Sequence, residues 1–166
     1  MVFPFQPILM KGFNINLTEI SRMYAGQSLI GMVSPLLASI SDSRGRRTGM
    51  LAGMVLFSLG TLVIVVWPTA GGFFAFLVLS MLAKAVFEPS VIAYFGDIIP
   101  YERRGFVMGI TEISWSLSFF VGVPVIGYFM NQFNLLAPFV LLLVLGLISF
   151  LAVLLLFPKD NISKED

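Results

Sequence analysis

Apolar residues along this chain run together instead of alternating, in five stretches at about 20–40, 48–67, 71–99, 106–130 and 133–157. A helix crossing the hydrocarbon layer of a bilayer, roughly 30 Å thick, needs about 20 mostly apolar residues. Backbone groups in lipid must find partners within their own segment, and runs without period-two alternation do not suit a membrane barrel. The pattern therefore predicts an all-α fold, a polytopic transmembrane helix bundle with five full spans. Val2–Met10 is also apolar, but its nine residues reach only about 14 Å as a helix. Residues 1–10 are accordingly expected to be a partial first helix, 11–157 the membrane domain, and the polar residues 158–166 a linker or tail.

The polar positions between the stretches give the bundle its connections and orientation. Ser41–Arg47, Pro68–Ala70, Pro100–Gly105 and Asn131–Gln132 are too short to hold a soluble domain, so successive helices are expected to be antiparallel neighbours. Arg44, Arg46 and Arg47 lie in the first of these, Arg103 and Arg104 in the third, and Lys159 and Lys164 in the tail. All three regions fall on one side, which the positive-inside rule makes cytoplasmic. A multi-pass protein of the cell (inner) membrane is expected, with loops 42–47 and 100–105 and the tail in the cytoplasm. Trp67, Tyr128 and Phe133 fall near the opposite boundary, where aromatic rings commonly lie. Small residues four apart, at Gly49 and Gly53, Gly105 and Gly109, and Ser34 and Ala38, suit close approach of helix backbones.

Composition narrows the chemistry. Hydrophobic residues make up 58% of the chain and charged ones 11%, so the lipid bilayer is the main partner of its surface. The net charge of +1 comes with no basic stripe, which sets nucleic acid aside. With neither Cys nor His, thiolate and imidazole metal sites, disulfides and histidine-based catalysis are all excluded. No nucleophile paired with a base is visible, so neither an enzyme nor a resident cofactor is expected.

Apart from Arg22 and Asp97 near segment ends, three charges lie inside the apolar segments. Lys84 and Glu88 share a helix face at i and i+4, with Lys84 about 22 Å from the cytoplasmic end of its segment. Glu112, in the next segment, is roughly 10 Å from the same boundary. A charge at mid-membrane costs at least about 2.5 kcal/mol, so it should face protein or a water-filled cavity, and such residues tend to mark pathways. In the absence of histidine, any proton coupling here would use these carboxylates. The competing interpretation is a static Lys84–Glu88 ion pair that neutralises itself inside the bundle.

The run Asp42-Ser43-Arg44-Gly45-Arg46-Arg47 resembles the G-x-x-x-D-R-x-G-R-R/K loop of the major facilitator superfamily, with Asp42, Gly45, Arg46 and Arg47 matching and Ala38 and Ser43 departing. Gly96-Asp97-Ile98-Ile99-Pro100-Tyr101-Glu102-Arg103-Arg104-Gly105 is similar to the superfamily's turn after its fourth helix, an acid followed by Pro and Arg-Gly. Gly122, Pro124 and Gly127 resemble the fifth-helix signature of its drug and sugar exporters, with Phe119 and Val123 where glycines would stand. The resemblance implies an amino-terminal six-helix half lacking most of its first helix. It further implies pairing of Asp97 with Arg46, and Asp42 facing a helix of a second half. Secondary transport of a small-molecule substrate would follow by rocking of two halves around a midplane pocket, with Lys84, Glu88 and Glu112 on its wall. Proton-coupled efflux is the mode implied by the fifth-helix match. A chain of this length is not expected to transport without a carboxy-terminal half or a second membrane chain. The alternative function is that of a short, non-transporting membrane protein that acts as an assembly partner.

Overall fold

A computed structural model describes residues 3–42 and 45–157, with the side chains of Phe3 and of 33–42 outside the description. Met1, Val2, Ser43, Arg44 and the tail 158–166 with Lys159 and Lys164 therefore lie outside the described residues, as do the side chains of Ser34, Ala38 and Asp42. A 3-10 turn at Phe3–Phe5 leads into α1 (Gln6–Gly12), followed by α2 (Leu17–Asp42), α3 (Arg46–Val66), α4 (Ala70–Ile98), α5 (Tyr101–Gln132) and α6 (Ala137–Leu156). The described residues form no strand. Among them four helices, α3 to α6, are long and apolar enough to cross a membrane. The 26-residue α2 has the length for it and carries Glu19 and Arg22 near its start.

The helices that begin at the end opposite the arginines are capped by short polar side chains. The backbone N–H of Glu19 donates to Asn16 Oδ1 and that of Asn16 to Glu19 Oε2, each at 2.9 Å, a reciprocal capping box at the start of α2. Thr69 Oγ1 accepts from the Gly72 N–H at the start of α4. Asn134 Oδ1 accepts from the N–H groups of Leu136 and Ala137 ahead of α6. Each cap satisfies donors that the first helical turn leaves without intrahelical partners.

Two connections differ from expectation. Residues 101–105 are not loop: α5 begins at Tyr101, directly after Pro100. Proline has no N–H to lose at a helix start, and Glu102 in the first turn favours the helix dipole. At its far end α5 runs through Asn131 and Gln132, and the turn lies at 133–136.

The bundle is organised around α4, which packs along α3 and α2, while α3 also lies against α6. Glycine makes the α3–α4 contact close. A Cβ on Gly53 would sit 2.6 Å from Phe87 Cβ and 3.0 Å from the Ala83 carbonyl oxygen, and one on Gly60 would meet Leu79 Cβ at 3.0 Å. Gly105 and Gly109, which share the same spacing, instead face open space, with nothing within 4 Å among the described residues. Four-residue spacing permits close approach only where another helix lies opposite, and α5 touches α4 and α6 only sparsely. The buried core lies at the capped end, where Phe5, Leu9 and Phe13 of the amino-terminal segment meet Ile64, Phe73, Phe76, Ile126 and Phe139. Phe13 stacks on Phe73 at 5.5 Å between centroids and Phe76 meets Phe139 edge-on at 5.2 Å.

Candidate solute cleft and arginine-bearing helix ends

Toward the arginine end from this core, the bundle opens into a cleft of about 400 Å³ between α3, α4, α5 and α6. Its walls are mostly apolar, with Phe57, Phe87, Leu142 and Leu145 among them, and Trp115 of α5 forms one side. Lys84 and Glu88 enter it from α4. Their i, i+4 spacing brings Lys84 Nζ to 3.7 Å from Glu88 Oε2, and the same ammonium lies 5.3 Å from the centroid of the Trp115 ring. Ser80, one turn before Lys84, also lines the cleft, and its buried Oγ has no hydrogen-bond partner among the described residues.

Glu112 does not join this group. It is exposed on α5, three residues before Trp115, and does not line the cleft. Among the described residues no ion pair links it to Lys84 or Glu88. The fifth-helix residues fall elsewhere again. Pro124 is exposed within α5, Gly122 is partly buried, and Gly127 lies against the amino-terminal segment, where an added Cβ would be 3.5 Å from Phe5.

At the arginine end, Gly45 holds φ at 98° and ψ at 146° immediately before α3, a backbone region that side chains disfavour. The turn delivers the next two arginines to different helices. Arg46 Nε donates to Asp97 Oδ2 at 3.2 Å, joining the start of α3 to the end of α4. Arg47 Nη2 donates to the Leu154 carbonyl at 2.6 Å, near the end of α6. Arg104 folds back on the helix before it, with Nη2 donating to the Gly96 carbonyl at 2.7 Å and Nε to that of Ile99 at 3.1 Å. Its guanidinium also lies 5.8 Å from the Tyr101 ring centroid. Arg103 is exposed, and Gly105 is open.

Arg47 and Arg104 thus cap the carboxy-terminal ends of α6 and α4, where orphan carbonyls and the helix dipole favour a cation. The sequence reading missed both contacts. For Arg104 a local signal exists, because a basic residue a few positions past a helix end can turn back on it; Arg47 and Leu154 are 107 residues apart and only the fold unites them. Nor does the sequence join Trp115 to the charged pair, since its ring reaches Lys84 only through the placement of α5.

The Major Facilitator Superfamily profile matches residues 1–166. Among curated proteins, the uncharacterized MFS-type transporter YwfA of Bacillus subtilis is 34% identical over 128 residues, 75% of this chain and 30% of that protein. Multidrug resistance protein 2 of Bacillus subtilis is 25% identical over 100% of this chain and 41% of its own length. Quinolone resistance protein NorA of Staphylococcus aureus is 25% identical over 97% of this chain and 42% of its own length. The chain therefore spans less than half the length of these relatives. Matched along its whole length and folded as apolar antiparallel helices, this multi-pass membrane chain belongs to the Major Facilitator Superfamily.

Proposed function

We propose that this chain forms the amino-terminal part of a secondary active transporter that exports a small solute in exchange for protons. Lys84 and Glu88, together with Trp115, form the amino-terminal wall of its solute pocket. The observation that carries the reading is the cleft itself, an apolar cavity with a few convergent polar groups reached by charges that a lipid-facing surface would not tolerate. The Arg46–Asp97 pair supports it from the helix ends. With the side chains 30% and 60% exposed, the pair is worth only about 0–1 kcal/mol, which suits a latch that is made and broken in every cycle. By the resemblance of its loop, Asp42 is assigned the contact with a second half, and the arginine end faces the cytoplasm.

The export direction comes from the relatives named for multidrug and quinolone resistance. Proton exchange assigns the coupling role to Glu88 and Glu112, while Gly122, Pro124 and Gly127 shape α5 where it meets the amino-terminal segment. The partner is a carboxy-terminal half or a second membrane chain, docked on the broad exposed face of α5, of which only Ile126 is buried. That same face favours a second reading, a non-transporting assembly partner.

Flux measurements on proteoliposomes of a complete transporter carrying this chain test the proposal. Lys84→Met and Asp97→Asn are each expected to lower proton-driven efflux by about tenfold or more, the size of a typical coupling between sites. Unchanged flux in both variants would leave the assembly-partner reading in possession.

A further inference from the structure

The Lys84–Glu88 pair is looser than its neighbourhood requires. At 3.7 Å it exceeds the 2.7–2.9 Å of a good charge-assisted hydrogen bond, and the two side chains remain 53% and 43% exposed. Lys84 is instead shared between the carboxylate and the indole face of Trp115. The cleft thus presents a cation and an anion on adjacent helical turns, both accessible, within aromatic and aliphatic walls.

These charges select against ligands of single sign. An anion drawn to Lys84 meets repulsion of similar size from Glu88, since Coulomb energies at such spacings are comparable. A cation drawn to Glu88 meets the matching repulsion from Lys84, whose ammonium stands beside that carboxylate. A wholly neutral ligand leaves both charges to be covered without new partners, which is costly in an apolar site. A zwitterion meets neither objection: its carboxylate takes Lys84, its ammonium takes Glu88, and no net charge enters the cleft. Phe57, Phe87 and Trp115 supply surfaces for a flat ring. The Ser80 Oγ, which has no partner among the described residues, adds a hydrogen-bonding group on the same wall.

We propose that the cleft binds an aromatic zwitterion of amino-acid type, with its carboxylate on Lys84, its ammonium on Glu88 and its ring against Trp115. The assignment rests on reading the cleft as the solute pocket, and it is tested by binding, independently of flux.

The test is equilibrium dialysis of the chain in lipid nanodiscs, with empty nanodiscs subtracted, against four ligands that share one ring: 1-naphthylalanine, 1-naphthylacetate, 1-naphthylmethylammonium and 1-naphthylacetamide. The zwitterion is expected to bind about tenfold or more tightly than any of the other three. Lys84→Met should shift the preference to the ammonium and Glu88→Gln to the acetate. Because a single substitution can disturb folding, the exchanged variant Lys84→Glu/Glu88→Lys provides a second arm, and it should still prefer the zwitterion. Equal binding of all four ligands, binding of none, or a ranking that the single variants leave unchanged overturns the proposal. Zwitterion selectivity without proton-driven flux in the complete transporter would count against the transport reading alone.

Discussion

At the scale of single residues, the arginine end shows how one short motif sends adjacent side chains to separate tasks. Gly45 supplies a φ of 98°, after which Arg46 reaches α4 and Arg47 reaches α6. Gly45→Ala is expected to cost about 1–3 kcal/mol, the penalty for holding a side chain in a sparsely populated backbone region. A fall in the thermal unfolding midpoint in detergent would register it, and an unchanged midpoint would mean that the turn relaxes without strain. The two arginines should separate in the same assay. Arg47 is partly buried and makes a 2.6 Å charged hydrogen bond to the Leu154 carbonyl, so Arg47→Ala should lose about 1.5 kcal/mol. Arg103 is exposed, and Arg103→Ala should stay within about 0.5 kcal/mol of the parent. Equal losses from the two would show that α6 does not depend on its cap.

At the scale of elements, the positions of the helices were legible because lipid imposes a length and a composition on anything that crosses it. Their ends were less so, since capping is decided by a few polar groups. The run Pro100–Gly105 reads as loop from its charges, yet Pro100 and Glu102 are good helix-starting residues and α5 begins there. Glycine spacing was ambiguous for a similar reason: Gly53 and Gly109 belong to identical patterns, and only the neighbours distinguish them. Gly53→Ala drives a methyl into Phe87 and the Ala83 carbonyl, and should destabilise the α3–α4 pair by about 1–3 kcal/mol. Gly109→Ala meets nothing and removes a weak helix former, so it should be neutral or stabilising by up to about 1 kcal/mol. Thermal unfolding of both variants in the same detergent checks the contrast, and matching losses would place Gly109 against a partner. In the cleft, Lys84 and Glu88 were readable from helical spacing alone. The indole that completes their surroundings comes from another helix, and the separation of Glu112 from them depends on how α5 is rotated, which no local pattern records.

At the scale of the whole molecule, the three beginnings capped by Asn16, Thr69 and Asn134 lie at one end of the bundle, and the arginine contacts at the other. This polarity follows from antiparallel helices joined by short connections, and it holds whichever way the bundle sits in a bilayer. The direction of insertion is a separate matter, governed by the cost of moving Lys and Arg across the membrane. With Arg46, Arg47, Arg103 and Arg104 gathered at one end, that end is expected to remain in the cytoplasm. The lack of native cysteine makes the expectation simple to check, because one introduced thiol is the only target for a maleimide. Arg103→Cys and Phe133→Cys place that thiol at exposed positions at opposite ends of α5. A membrane-impermeant maleimide should label Phe133→Cys in intact cells and Arg103→Cys only after permeabilisation. The reverse pattern would put the arginine end outside. Labelling of both in intact cells would mean that α5, sparsely packed against its neighbours, does not hold a transmembrane position without a further helix beside it.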